Sequence, residues 1–237
     1  MQNVPIASLG PCQFPSPLHQ IGTVEVPFKT DEDRILYTNT VAGLSTDSEA
    51  ITFEEAGPRE HIFFDPPKTT VGIVTCGGLC PGLNDIIRGI VNQCHRQYGV
   101  TKVYGFRYGY EGLVQRYGHT PLILRPESVA QIHNFGGTIL GSSRGQQPVG
   151  EMVDTLEDMC VDILFVIGGD GSLRGAAAIM AADLAAHGKT TGLQVQACGD
   201  MHMANFGIFA SAERNLIFGN QPVKFHFDTL MFYCMLT

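Results

Sequence analysis

The chain has no tryptophan, no Cys-x-x-Cys pair among its seven cysteines, and no uninterrupted apolar run near 18 residues. An odd number of cysteines at irregular spacing excludes a disulfide ladder and a cysteine-built zinc site, so they are read as reduced thiols of an intracellular protein. The lack of a long apolar run excludes a membrane-spanning helix; the most apolar stretch near the end, residues 230–236, is too short. Residues 1–22 lack the basic start and apolar core of a secretory signal, so none is expected.

Positive charge is also scarce, with 15 Lys and Arg against 23 Asp and Glu and a net charge of -8. Ten of those acidic residues but only three basic ones fall in residues 1–66, which leaves the rest nearly neutral. A body without a broad basic field is not a nucleic-acid binder. Small phosphates remain open to it, because local dipoles and a few arginines suffice to hold them.

Glycine, by contrast, is abundant at 28 residues, and 44% hydrophobic residues with a mean hydropathy of +0.07 imply a real core. Several glycines stand in pairs at the ends of apolar runs, where backbones turn sharply or approach ligands. The first 50 residues, rich in Pro, Ser, Thr and acidic side chains, read as a mostly irregular extension, with extended pieces at 51–54 and 61–64. The folded body is expected to begin near Lys68.

Val71 to Thr75 is an apolar strand candidate that runs into Cys76-Gly77-Gly78-Leu79-Cys80-Pro81-Gly82. Leu83, Ile86, Ile87, Ile90, Val91 and Cys94 then recur at helical spacing. The same grammar returns at Ile163 to Ile167, followed by Gly168-Gly169-Asp170-Gly171-Ser172 and by Leu173, Ala176, Ala177, Met180, Ala181 and Leu184 at helical spacing. With Lys102 to Phe106 as a further strand, these units predict an open parallel α/β sheet, since a continuous apolar strand is one covered on both faces.

A glycine turn between strand and helix leaves backbone N–H groups facing the crevice at the strand ends, where an anion is favoured by about 0.3–2 kcal/mol. Gly77-Gly78 taken alone is equally an ordinary tight turn. In the second turn an acidic residue, Asp170, is electrostatically wrong for phosphate unless a cation joins it, and Mg2+ held between one carboxylate and nucleotide phosphates fits that choice. An Asx turn or helix cap is the plain alternative for Asp170. Between the turns lies Gly136-Gly137-Thr138-Ile139-Leu140-Gly141-Ser142-Ser143-Arg144-Gly145, which presents Arg144 among small residues, either as a phosphate-bridging fork or as a solvated surface side chain. Phe106, Tyr108 and Tyr110 are candidates for lining an adenine pocket, or for core and rim.

Together these blocks resemble the ATP-dependent phosphofructokinase family over residues 53–188, through VGIVTCGGLCPGLN (71–84), GFRYGYEGL (105–113), GGTILGSSRG (136–145) and FVIGGDGSLRGA (165–176). The FEEAGPR leader piece and the CPGLN variant look most like the long forms of plants and protists, the trypanosomatid type included. The resemblance implies a Rossmann-like three-layer parallel sheet, here incomplete at the carboxyl end. It implies a transfer of the ATP γ-phosphoryl group to fructose 6-phosphate with Mg2+, in a cytoplasmic or organelle-borne homo-oligomer. By it, Gly77, Arg144, Gly145, Gly169, Asp170, Gly171 and Ser172 would contact ATP, Asp170 would hold the metal, and Arg144 would act as the transition-state cation. Gly171 stands where pyrophosphate-using relatives commonly carry Asp, and so leaves room for ATP.

The family pattern departs near Lys189. The Pro-Lys-Thr-Ile-Asp-Asn-Asp segment that supplies the family's general base does not occur downstream, so the base is expected to be absent and the chain inactive alone. The resulting division is 1–66 as extension, 67–188 as ATP-binding region and 189–237 as a tail foreign to the family. A sheet stopped after Ile167 is further expected to expose the apolar faces of residues 161–167 and of the helix after them. Two other readings stay open: an NAD or lipid kinase, which also use GGDG turns, and a nucleotide-binding or regulatory product without catalysis.

Overall fold

The computed structural model describes residues 11–18, 24–36, 51–55 and 57–187, with strand pieces at 2–3, 20–21, 206–210, 216–220 and 234–235. Most of the tail, for which sequence foreign to the family was expected, lies outside the described residues. The leader carries more strand than its composition suggested. Gln2–Asn3 and Arg34–Leu36 flank Ile51–Glu54 in one small sheet, and Phe14–Pro15 pairs with His61–Ile62. Lys29–Glu55 at 2.9 Å and Arg59–Asp31 at 3.0 Å tie it together at its surface.

The body is built on one sheet of β1 (Thr70–Thr75), β2 (Lys102–Phe106), β3 (Leu122–Ile123), β4 (Ile163–Ile167) and β5 (Cys234–Met235), in the order β3-β2-β1-β4-β5. Its centre is parallel, with Val71 opposite Val103 on one side and Ile163 on the other. The edge strands β3 and β5 run antiparallel to their neighbours.

Strand alternation sorts the core into two layers. Val71, Ile73, Ile163, Phe165 and Ile167 face α1 (Leu83–Asn92), packing on Leu83, Ile87, Ile90 and Val91. Val74, Phe106, Leu164 and Val166 face the other way, onto Met152, Val153 and Leu156 of α2 (Val149–Asp158) and Ala176 and Ile179 of α3 (Asp170–His187). This is the three-layer α/β arrangement expected from the sequence. Each buried Val, Leu, Ile or Phe side chain contributes roughly 1.5–3 kcal/mol relative to exposure. Gly72 is required inside β1, because a Cβ there would come 2.8 Å from the Phe106 ring and 3.0 Å from Leu164.

Two expectations are corrected. The buried stripe of α3 runs through Ser172, Ala176, Ile179 and Asp183, while Ala177 and Ala181 are exposed. A helix apolar nearly all round has no phase that spacing can reveal. Residues 161 and 163–167 are buried, because α1 covers one face of β4 and α2 with α3 cover the other. Among the described residues no helix is long and apolar enough to cross a membrane.

Candidate functional site

In this sheet β1 lies between β2 and β4, so the chain passes to one side of β1 first and to the other side later. A crevice opens at the carboxyl ends of strands where connections part in this way. Glycine turns end both strands there, and they touch: the Cys76 N–H donates to the Ile167 carbonyl at 2.8 Å. A Cβ on Gly168 would collide with Ser172 Oγ and lie 2.6 Å from the Cys76 carbonyl oxygen, so only glycine lets the two turns cross.

The third glycine-rich segment, 136–145, is fastened onto β1 and the first turn of α1. Thr75 Oγ1 donates to the Gly141 carbonyl at 2.7 Å and lies 3.0 Å from Thr138 Oγ1. Asn84, buried in α1, donates from Nδ2 to the Phe135 carbonyl at 3.0 Å and accepts the Ile139 N–H at 2.8 Å, so one side chain clasps both ends of a five-residue span. Ser142 Oγ donates to the Gly77 carbonyl at 2.6 Å, and the Gly77 N–H donates to the Ser143 carbonyl at 3.3 Å. Gly77, Gly137, Gly141 and Gly145 all have left-handed φ values, of 82°, 78°, 70° and 105°, which fixes glycine as the residue at these bends.

Between these segments is an open cleft of about 480 Å³, lined by Gly77, Gly78, Leu79, Gly136, Gly137, Thr138, Gly141, Ser142, Ser143 and Arg144. Its size is that of a small-molecule site. Most of its wall is glycine backbone and hydroxyl side chains, with Leu79 beside them, and the exposed Arg144 brings a cation to it. Leu79 and Phe135, 66% and 65% exposed, stand in the same loops.

Of the residues singled out from the sequence, Gly77 and Arg144 meet in this cleft, and Gly145 follows directly, exposed. Gly169, Asp170, Gly171 and Ser172 form the neighbouring turn and the start of α3, and do not line the cleft. Gly171 is exposed with open space where a Cβ would stand. Ser172 is buried, its N–H donating to the Gly169 carbonyl at 2.9 Å, and its carbonyl accepts the Tyr110 hydroxyl at 2.5 Å. The side chain of Asp170 lies outside the described residues. Phe106 and Tyr110 are buried in the layer under α2 and α3, so none of the three aromatics considered for an adenine pocket lines the cleft. Burial pushes the Cys76 thiol up to about 12, against smaller lowering by the Tyr110 backbone and the Ser172 side chain, so this cysteine is a packing group rather than a nucleophile.

The sequence reading missed Thr75, Asn84, Thr138 and Ser142. Their hydroxyl and amide groups lie in the quoted blocks, but the bonds span 51 to 66 residues and no local pattern displays them. It also gave Tyr108 no backbone role, although its φ is 62°. A non-glycine residue there costs about 1–2 kcal/mol.

The fold is a three-layer α/β sheet with a switch-point crevice walled by glycine loops. The family model for phosphofructokinase matches residues 70–212, and the chain belongs to that family. It is 46% identical over 183 residues to an ATP-dependent 6-phosphofructokinase of Amycolatopsis methanolica, covering 74% of this chain and 40% of that one. It is 48% identical over 172 residues to the enzyme of the same name from Trypanosoma cruzi, covering 73% of this chain and 33% of that protein. The chain therefore spans two fifths or less of the length of these curated relatives. A solved Pichia pastoris phosphofructokinase in the T-state matches 59% of this chain and 16% of its own, at 28% identity and a TM-score of 0.44.

Proposed function

We propose that residues 67–188 form the ATP-binding part of a 6-phosphofructokinase, the reaction being transfer of the γ-phosphoryl group of ATP to fructose 6-phosphate. The observation that carries this reading is the convergence of three glycine-rich segments at one switch point, with Arg144 at the same cleft, in a chain of this family. The backbone of Gly78 and of the 142–145 stretch at the cleft is suited to phosphate oxygens, with Gly77 holding that stretch through its bond to Ser143, and Gly169 to Ser172 form a second cradle at the amino end of α3. Arg144, exposed at the cleft, can meet the charge that develops on the phosphoryl group.

Mg2+ fits this donor set. Among the described residues no group of three or more His, Cys, Asp or Glu could cage a metal ion, so a cation here would take most of its oxygens from phosphate and water, with Asp170 as the protein's contribution. The metal would supply charge neutralisation between the phosphates. Gly171 favours ATP over pyrophosphate, since its open flank leaves the nucleotide room. The family's general-base segment and the groups that hold the sugar phosphate are not read in this sequence, so this chain is taken as the nucleotide half, in a homo-oligomer when joined to the rest. A non-family tail was expected over 189–237, but the family match runs to residue 212, so that proposal is kept for residues 213–237. The cytoplasm is the proposed compartment.

Photolabelling with 8-azido-ATP and Mg2+ tests the reading on the full chain. Label is expected on peptides from 76–82, 136–147 and 168–176, displaced by ATP and not by NAD+ or diacylglycerol. Displacement by either of the latter would move the assignment to another kinase class.

A further inference from the structure

We propose that Tyr108 is a positioning residue that seats the 136–145 loop against the end of β1, and through that loop sets the phosphate-facing backbone of the cleft. Tyr108 has left-handed φ and ψ of 62° and 46°, and Gly109 after it has a φ of 61°. Among the described residues only Cys160 shares that conformation without being glycine. The backbone alone would favour glycine here, so the ring is kept for a reason outside the turn.

Its contacts supply the reason. A Cβ on Gly141 would come 2.9 Å from Tyr108 Cδ1 and 3.2 Å from Cε1, so the ring rests against the bare backbone of Gly141, a cleft residue. The Tyr108 N–H also donates to the Leu140 carbonyl at 2.7 Å, holding the same point of the loop. The ring is braced in turn. The His119 ring lies 4.7 Å away between centroids, the Arg107 guanidinium sits 4.9 Å from the ring centre, and Arg107 Nη2 donates to the hydroxyl at 2.8 Å. Tyr108 does not line the cleft itself. It packs on Gly141, whose carbonyl accepts the Thr75 hydroxyl, and acts through the loop rather than on a ligand.

Hydrogen–deuterium exchange on the full chain tests this, with wild type compared with Tyr108→Gly and Tyr108→Phe. The glycine variant eases the backbone while removing the ring, so a residue that mattered only to the turn would lose nothing by it. The Gly77 N–H donates to Ser143 of the loop, the Ile139 N–H to Asn84 of α1 and the Gly141 N–H to Thr138 within the loop, so these amides report its seat. In Tyr108→Gly these amides are expected to exchange ~10-fold faster with β4 unchanged, and in Tyr108→Phe to stay within ~2-fold of wild type. Unchanged loop exchange in Tyr108→Gly, or equal loosening in Tyr108→Phe, would overturn the proposal. If β4 also loosens in the glycine variant, Tyr108→Asn, which accepts the left-handed backbone without the ring, decides between a local effect and a general one; a general one would overturn it.

A second arm rests on the nucleotide reading. MgATP affinity is expected to fall ~10-fold in Tyr108→Gly and to hold in Tyr108→Phe. A loosened loop with full affinity would refute the link to the cleft. Absence of MgATP binding by wild type would instead overturn the nucleotide reading, and the exchange arm would still decide what Tyr108 does.

Discussion

Gly168 and Ser172 meet where the turn after β4 crosses the turn after β1, and the crossing leaves no space for a methyl group at 168. Gly171, three residues on, faces open space. Two glycines of one turn thus answer to different constraints, one to packing and the other to what approaches from outside.

Gly168→Ala is expected to cost about 2 kcal/mol by overpacking, lowering Tm by roughly 4–8 °C. Gly171→Asp is expected to leave Tm within about 2 °C while weakening MgATP at least ~10-fold, by adding bulk and negative charge. Thermal unfolding and equilibrium binding on both variants check the pair. A stable Gly168→Ala would refute the crossing, and full ATP affinity in Gly171→Asp would refute the role of Gly171.

The strands, the first helix and the glycine turns were legible because each is written in neighbouring residues. Ile163 to Ile167 is apolar at every position since both faces are covered, and α1 shows its stripe because its other face is polar. The phase of α3 was hidden by alanines on every side, and α2 carries a mixed pattern after Pro148 that drew no helix assignment. The clasp of Asn84 on Phe135 and Ile139 joins residues more than 50 apart, which only the sheet order brings together. For Phe106 and Tyr110 the sequence left core and pocket both open, because an aromatic after a strand serves either, and the packing under α2 and α3 places them in the core.

Arg144 is exposed, so Arg144→Ala is expected to leave Tm within about 1 °C. MgATP affinity is expected to fall ~10-fold at low salt, and less at 0.5 M salt where charge pairing is screened. Titrations at two ionic strengths check this. Equal affinity in the variant at low salt would make Arg144 an ordinary surface side chain.

Burial holds the Cys76 and Cys94 thiols at about 12, and Tyr98 is likewise raised to about 12. In the unfolded chain the thiols ionise near 9, so above that pH the unfolded state loses protons that the folded state keeps. Stability from these groups is whole below pH 9 and is lost as pH rises toward 12, by about 2–3 kcal/mol per thiol at pH 11. The urea midpoint is expected to drop between pH 8 and 11, and less steeply in Cys94→Ala. A flat midpoint would contradict the burial of ionisable thiols.

The most direct measurement of the central claim is calorimetric titration of the full chain with ATP and with pyrophosphate, each with Mg2+. Saturable ATP binding with one site per chain, tighter than pyrophosphate and lost without a divalent cation, is the expected result. No binding of ATP, or tighter binding of pyrophosphate, would contradict the assignment of the glycine-walled cleft and its GGDGS neighbour to a nucleotide.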